Sequence, residues 1–239
     1  MVLLHTTSPT HASIAGGNRR GAAMPTPHHL VAPPVIIAAT PVRPLASPQP
    51  AIAPSLPPVC TVDLMTLEGS AMFGAQWKTK EAKIIEVPAI PDAMPEFTTT
   101  YDIDPHAGEA GFDDAAWPSI LPTALEAKRG GGKVSFLWFR TLLTIPTRIG
   151  AFDPAGAKVV LALCIDDYAE IWVNGELPRA AGRPSPATIQ GFNMPQRLVL
   201  SDAVSPGDTF HIAVFGINGP ISIAPANTVW FREARIEFF

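Results

Sequence analysis

The segment Ile165–Pro178, IDDYAEIWVNGELP, constrains this chain more than any other stretch. Neighbouring side chains of a strand point to opposite faces. Ala169, Ile171 and Val173 therefore line one face, and Tyr168, Glu170 and Trp172 the other. The first set suits a core. The second is amphipathic and suits a second sheet, a groove or solvent. Asn174-Gly175 follows at once, a pair that favours a two-residue hairpin because both turn positions need φ > 0. Glu176-Leu177 then starts a return strand, which Pro178 ends.

The same texture recurs along the chain. KIIEV (83–87), FTTTYDI (97–103), KVSFLWFRTLLTIP (133–146) and KVVLALCI (158–165) are rich in β-branched and aromatic residues. RLVL (197–200), TFHIAVFGI (209–217) and NTVWFREARIEFF (227–239) continue the series. Turn residues separate these runs and helical periodicity is scarce, so the reading is an all-β sandwich. One short helix is expected within 62–77, with Leu64, Leu67, Ala71 and Met72 on one face. No period of about 20–50 residues repeats, which leaves propellers and solenoids unsupported.

Residues 1–60 are a different material. Before Asp63 the chain has no Asp, Glu or Lys, only Arg19, Arg20 and Arg43, and twelve of its 27 prolines fall there. Such a segment buries too little apolar surface to offset its ordering entropy. It reads as a disordered, Pro/Ala-rich, low-complexity leader or linker, with the domain at 61–239. Its acid-free, Arg-containing start resembles a targeting segment: a signal peptide for export to the periplasm or exterior, or a transit peptide for organelle import. The chain-wide balance of −4 gives no basic footprint for nucleic acid. No run of 18 apolar residues is free of proline or charge, so no transmembrane helix is expected. Cys60 and Cys164 read as a tail thiol and a small buried hydrophobe.

Six segments carry a resemblance. IDDYAEIWVNGELP resembles the D-D-x-A-x-V-W-V-N-G segment in the sugar-binding jelly-roll domain of family 2 glycoside hydrolases such as β-galactosidases. GFDDAAWPSILP (111–122) is similar to that domain's F-D-D-S-x-W motif, and KVSFLWFRTLLTIP to its W-Y-R-x-x-F-x-I-P strand. GFNMPQRLVL, FHIAVFGINGPIS and VWFREARIEFF resemble the galactose-binding-like domain associated with bacterial gluconolactonases. The likeness covers Val62 to Phe239 and implies a galactose-binding-domain-like jelly roll. It does not imply an enzyme. The family's catalytic carboxylates sit in a separate barrel, and a gluconolactonase propeller of six blades at about 40–50 residues each exceeds the 178 residues from Val62.

Residue chemistry points the same way. Asp166 and Asp167, in an extended strand, project to opposite sides and cannot share a proton or flank one bond as a glycosidase pair does. GGGKVS (130–135) lacks the Ser/Thr of a phosphate loop and reads as a turn. No nucleophile elbow is present, and no catalytic residue is assigned. Asp102, Asp104 and His106 form a candidate metal site; the resemblance implies structural Ca²⁺ as the cation to test, with no other cofactor. Sugar recognition pairs aromatic faces with forked polar groups. The candidates are Trp117, Tyr168, Trp172, Asn193, Asn218 and Trp230, with Arg140 and Arg179 as donors. Plainer roles stay open for several: Trp117 plugging the core beneath its loop, Trp172 covering a sheet face, Asn193 and Asn218 supporting turns. His211 reads as a surface or groove residue.

The function expected is a non-catalytic, carbohydrate-binding-like module, alone or beside an enzyme. The alternative is a structural or interaction subunit that kept the fold without the sugar site, with another protein subunit as partner. A gluconolactonase-type hydrolase comes third.

Overall fold

The computed structural model describes residues 53–89, 98–130, 135–178, 187–190, 194–218 and 228–239. They belong to one compact unit, 45–239. The targeting reading rests on residues up to 52 and lies outside the described residues, as do Arg179, Asn193 and the turn at 131–134.

Eleven strands and one short helix follow in order: β1 Cys60–Asp63, α1 Leu67–Met72, β2 Trp77–Pro88, β3 Thr99–Asp104, β4 Ser119–Ile120, β5 Phe136–Thr144, β6 Val159–Asp166, β7 Tyr168–Val173, β8 Thr188–Gln190, β9 Gln196–Ser201, β10 Thr209–Ile217 and β11 Trp230–Phe238. They build an antiparallel jelly-roll sandwich. The smaller sheet is ordered β1-β11-β6-β9; the larger is ordered β3-β2-β5-β10-β7-β8, with β4 paired to β2. Among the described residues no helix is long and apolar enough to cross a membrane.

The alternation expected in β7 is present: Ala169, Ile171 and Val173 are fully buried in the core between the sheets, while Tyr168, Glu170 and Trp172 are half-buried on the outer face. Inner-face side chains of both sheets interdigitate, with Phe231 meeting Phe139 edge-on at 4.9 Å and Trp77 at 5.5 Å. Strand β6 is buried along its whole length, which explains its unbroken apolar run.

Three expectations change. The helix face is not the predicted one: Leu67 is 59% exposed, and Gly69 and Ser70 are the buried positions. Thr66 caps the helix by accepting from the Gly69 amide at 3.0 Å. A Cβ at Gly69 would lie 1.9 Å from the Asp63 carbonyl oxygen, so close backbone approach, not an apolar stripe, sets the helix. The Asn174-Gly175 turn has φ of 52° and 88°, but Glu176 makes only a bridge to Val173. The strand that pairs along β7 is β8, with Tyr168 opposite Gln190 and Glu170 opposite Thr188. The first strand starts at Cys60, and the chain ahead of it already touches the sandwich: the Val59 amide donates to Phe238 and Pro54 accepts from Arg197. Both cysteines are free, and burial pushes both thiols up. The Asp104–Pro105 and Asp166–Asp167 peptide bonds are cis.

Candidate functional site

Register places four side chains in one row across the outer face of the larger sheet: Lys78, Arg140, Ala213 and Trp172 on β2, β5, β10 and β7. The next row holds Lys80, Trp138, Phe215 and Glu170. A sheet face this aromatic needs a cover, and the segment 105–117 supplies it. Ala107, Trp117, Trp138, Ala213 and Phe215 form a second small core there, with Phe112 and Trp172 packed against it.

Polar contacts strap the segment down. The Trp138 indole N–H donates to the Pro105 carbonyl at 2.9 Å. Arg140, only 4% exposed, donates through Nη1 to the carbonyls of Ala107 and Glu109, through Nη2 to Phe112, and through Nε to Asp114 Oδ2 at 2.8 Å. Lys78 Nζ donates to Asp114 Oδ1 at 2.7 Å and to the Asp114 carbonyl at 3.0 Å. Burial alone would raise the Asp114 pKa; the hydrogen bonds and charges of Lys78 and Arg140 override it and hold the carboxyl below its usual 3.8. Gly108 lies flat on the Trp172 ring, where a Cβ would come within 2.6 Å of the indole. Asp114 of the F-D-D-x-x-W stretch therefore staples the segment, Asp113 turns it by accepting from the Ala115 amide at 2.9 Å, and Trp117 plugs it.

Beside the strap is a cleft of about 310 Å³, lined by Gly74, Gln76, Lys78, Phe112, Asp114, Arg140, Thr141, Leu142 and His211. The Lys78–Asp114–Arg140 network is its charged part, and Phe112, with Arg140 over its ring at 5.3 Å, is its aromatic part. His211 is fixed through its backbone: its amide donates to Asn174 Oδ1 at 2.9 Å and its carbonyl accepts from the Asn174 amide. Its imidazole has no hydrogen-bond partner among the described residues. Burial, then the Arg140 charge, lowers the His211 pKa below 6.5, so the ring is neutral at pH 7 with one donor and one acceptor. A larger cavity of about 450 Å³ lies along Thr79, Lys80, Pro118, Arg129 and Leu137. It has no aromatic wall, and its Arg129 is already tied to the carbonyls of Ala124 and Ala127 at 2.5 and 2.8 Å, so the smaller cleft is the better-equipped site.

The sequence candidates separate. Arg140 lines the cleft, but its donors hold the strap. Trp117 and Trp172 lie in the small core, in the plainer roles left open for them. Asn218, 7% exposed, donates to the Thr228 carbonyl at 2.5 Å and supports the end of β10. The hydroxyl of Tyr168 donates to Glu170 at 3.0 Å. Trp230 lies between Lys128 at 4.8 Å and Arg232 at 5.4 Å. Tyr168, Asn218 and Trp230 are at the opposite end of the sandwich from the cleft. Asp102 pairs with His106 at 2.8 Å while Asp104 is exposed at the end of β3; among the described residues no three His, Cys, Asp or Glu side chains gather as a metal site. Lys78, Gln76, Phe112 and Asp114 were not singled out from the sequence, although Phe112 and Asp114 lie inside a motif that was.

The reading of Asp166 and Asp167 is corrected. The chain leaves the smaller sheet after Asp166 and enters the larger one at Tyr168, so strand alternation does not run across the junction. Burial, and then the neighbouring Asp167 carboxyl, push the Asp166 carboxyl up to about 7.

No family model matches the sequence, and no curated protein matches it. Solved structures are similar in fold. A Bacteroides uniformis β-glucuronidase shares 18% identity over 68% of this chain and 18% of its own, with a TM-score of 0.40. A glycosyl hydrolase family 2 member from Bacteroides cellulosilyticus shares 16% over 68% and 20%, at 0.40. A Kluyveromyces marxianus β-glucosidase shares 15% over 46% and 12%, at 0.26. The chain thus spans a fifth or less of each.

Proposed function

We propose that this chain is a non-catalytic carbohydrate-binding module that takes one sugar ring in the cleft beside the 105–117 strap. The observation that carries the reading is the neutral, uncommitted imidazole of His211 facing the Lys78–Asp114–Arg140 network beside the Phe112 ring. This set offers donors, acceptors and an aromatic face to a polyhydroxylated ring, on strands rather than on loops alone. A volume of about 310 Å³ is at the small end of ligand clefts, which run from about 300 to 1,000 Å³. Calorimetric titration with neutral and acidic monosaccharides tests it. Binding is expected for the native chain and at least tenfold weaker for His211→Ala; no binding to any sugar sinks the reading. Export to the periplasm or exterior belongs to the same proposal, and N-terminal sequencing of protein recovered outside the cytoplasm checks it.

A second reading, an interaction subunit, has an observation of its own. Among the described residues, β2 pairs with β5 as far as Ala82 and with β3 from Lys83 onward. The resulting two-stranded ribbon exposes Ile84, Ile85 and Tyr101, and apolar surface displayed in this way suits a protein partner.

A further inference from the structure

Charge and hydrogen-bonding capacity are out of balance in the cleft beside the strap. Lys78 and Arg140 each bring a positive charge, and Asp114 is the one carboxylate lining it among the described residues. Asp114 spends Oδ1 on Lys78 and Oδ2 on Arg140. The carbonyls of Ala107, Glu109, Phe112 and Asp114 accept from the same two cations. The other acids of the strap are engaged elsewhere: Asp113 accepts from the Ala115 amide, and the exposed Glu109 carboxylate lies 3.8 Å from His106.

What is left over is on the donor side. An ammonium carries three N–H donors and no acceptor. Lys78 Nζ places two of them on the Asp114 carboxylate and main-chain carbonyl, and its third has no partner among the described residues. The Lys78 side chain is only 18% exposed, so water has limited access to that charge. His211 adds the N–H of a neutral imidazole, and Gln76 an amide at the exposed rim. Burial first, then the Arg140 charge, depress the His211 pKa, and Asp114 opposes them without reversing the shift. A positive field therefore reaches the imidazole even with Asp114 in place. We infer that, granted the sugar site proposed above, the cleft selects a sugar acid over a neutral sugar, taking a uronate whose carboxylate lies between Lys78 and His211. A carboxylate only accepts hydrogen bonds, so it uses the spare donors and needs none of the acceptors that the clamp has consumed. A neutral hydroxyl in the same place donates as well as accepts, and gains nothing from the net charge. Charge-assisted hydrogen bonds are roughly twice as strong as neutral ones. Asp114 does not repel the ligand's carboxylate outright, because the buried Arg140 guanidinium offsets its charge at 2.8 Å and leaves that of Lys78 for the ligand.

Calorimetric titration of the full chain with glucuronate and with glucose at pH 7 tests the selection. Glucuronate is expected to bind at least tenfold tighter than glucose. Raising the salt from about 20 to about 200 mM NaCl is expected to narrow that gap, since ionic strength screens what charge contributes. Lys78→Gln keeps a polar group beside Asp114 without the charge, and should bring the two affinities to within about twofold of each other. Should Lys78→Gln fail to fold, Gln76→Glu decides from the exposed rim, where an added carboxylate should cut the preference at least tenfold. Acetate is the control for a carboxylate without a sugar ring and is expected to bind far more weakly than glucuronate. Glucose bound as tightly as glucuronate overturns the selection and leaves the sugar site standing, whereas no binding of either sugar overturns both. A preference unchanged in Lys78→Gln or in Gln76→Glu, or acetate that matches glucuronate, also overturns the selection.

Discussion

At the scale of the residue, Arg140 shows how a motif can be recognised and its role misjudged. Its strand resembles a sugar-binding family, and a guanidinium in such a strand invites reading as a hydroxyl donor. Inside the fold it is a clamp: it joins β5 to three carbonyls and one carboxylate of the 105–117 segment. Arg140→Met is expected to cost about 3 kcal/mol in urea unfolding at pH 7, because removing one partner of a buried pair strands the other. The penalty has a pH signature. Asp114 is held below 3.8, so its contribution is whole above about pH 4 and is lost as pH falls through the lowered value. Unfolding at pH 3 should therefore show a smaller difference between variant and native chain. Equal differences at pH 7 and pH 3 would place the clamp in the carbonyl bonds and not in the ion pair. Such a split is invisible in sequence, since Arg140 and Asp114 lie 26 positions apart and nothing in either motif names the other as partner.

Among the elements, the strands were legible because alternation and β-branched runs report directly on burial. Strand β7 has the in-and-out order read from Tyr168 to Val173, and the runs at 158–165, 197–200 and 209–217 each contain a strand. What escaped notice were places where the backbone, and not the side chains, decides. Strand β8 is three residues long, too short for a pattern, and is defined by its partner β7. The Asp166–Asp167 junction lies within a run that looks continuous because β6 is buried on both faces and β7 on one; hydropathy does not mark a change of sheet. Gly108 belongs to the same class. Its place in the 105–117 segment is set by the indole of Trp172, 64 residues later, and no local rule connects them. The cleft inherits this difficulty, for its wall comes from that segment and its floor from β2, β5 and β10.

For the whole molecule, the two functional readings occupy separate regions and can be separated by experiment. The cleft draws on the covered part of the larger sheet, where the strap is anchored. Among the described residues, the ribbon of β2 and β3 begins where the pairing with β5 ends, at Ala82 and Phe136. On one of its sides Ile84 pairs with Ile103 and Glu86 with Tyr101; Tyr101 is 75% exposed. A two-stranded ribbon on its own is marginal in water, so a partner laid across it would stabilise both. An interaction subunit should then run larger than a monomer in light scattering, and Ile84→Ser with Tyr101→Ser should return it to monomer size without weakening any sugar titration. His211→Ala should do the reverse, removing ligand and leaving size unchanged. If the native chain is a monomer at every concentration reached and is recovered without a bound protein, the ribbon is surface and the interaction reading falls. If the ribbon variants lose sugar binding along with assembly, the two regions are not independent, and the ring would then have to be held between copies of the chain instead of within one.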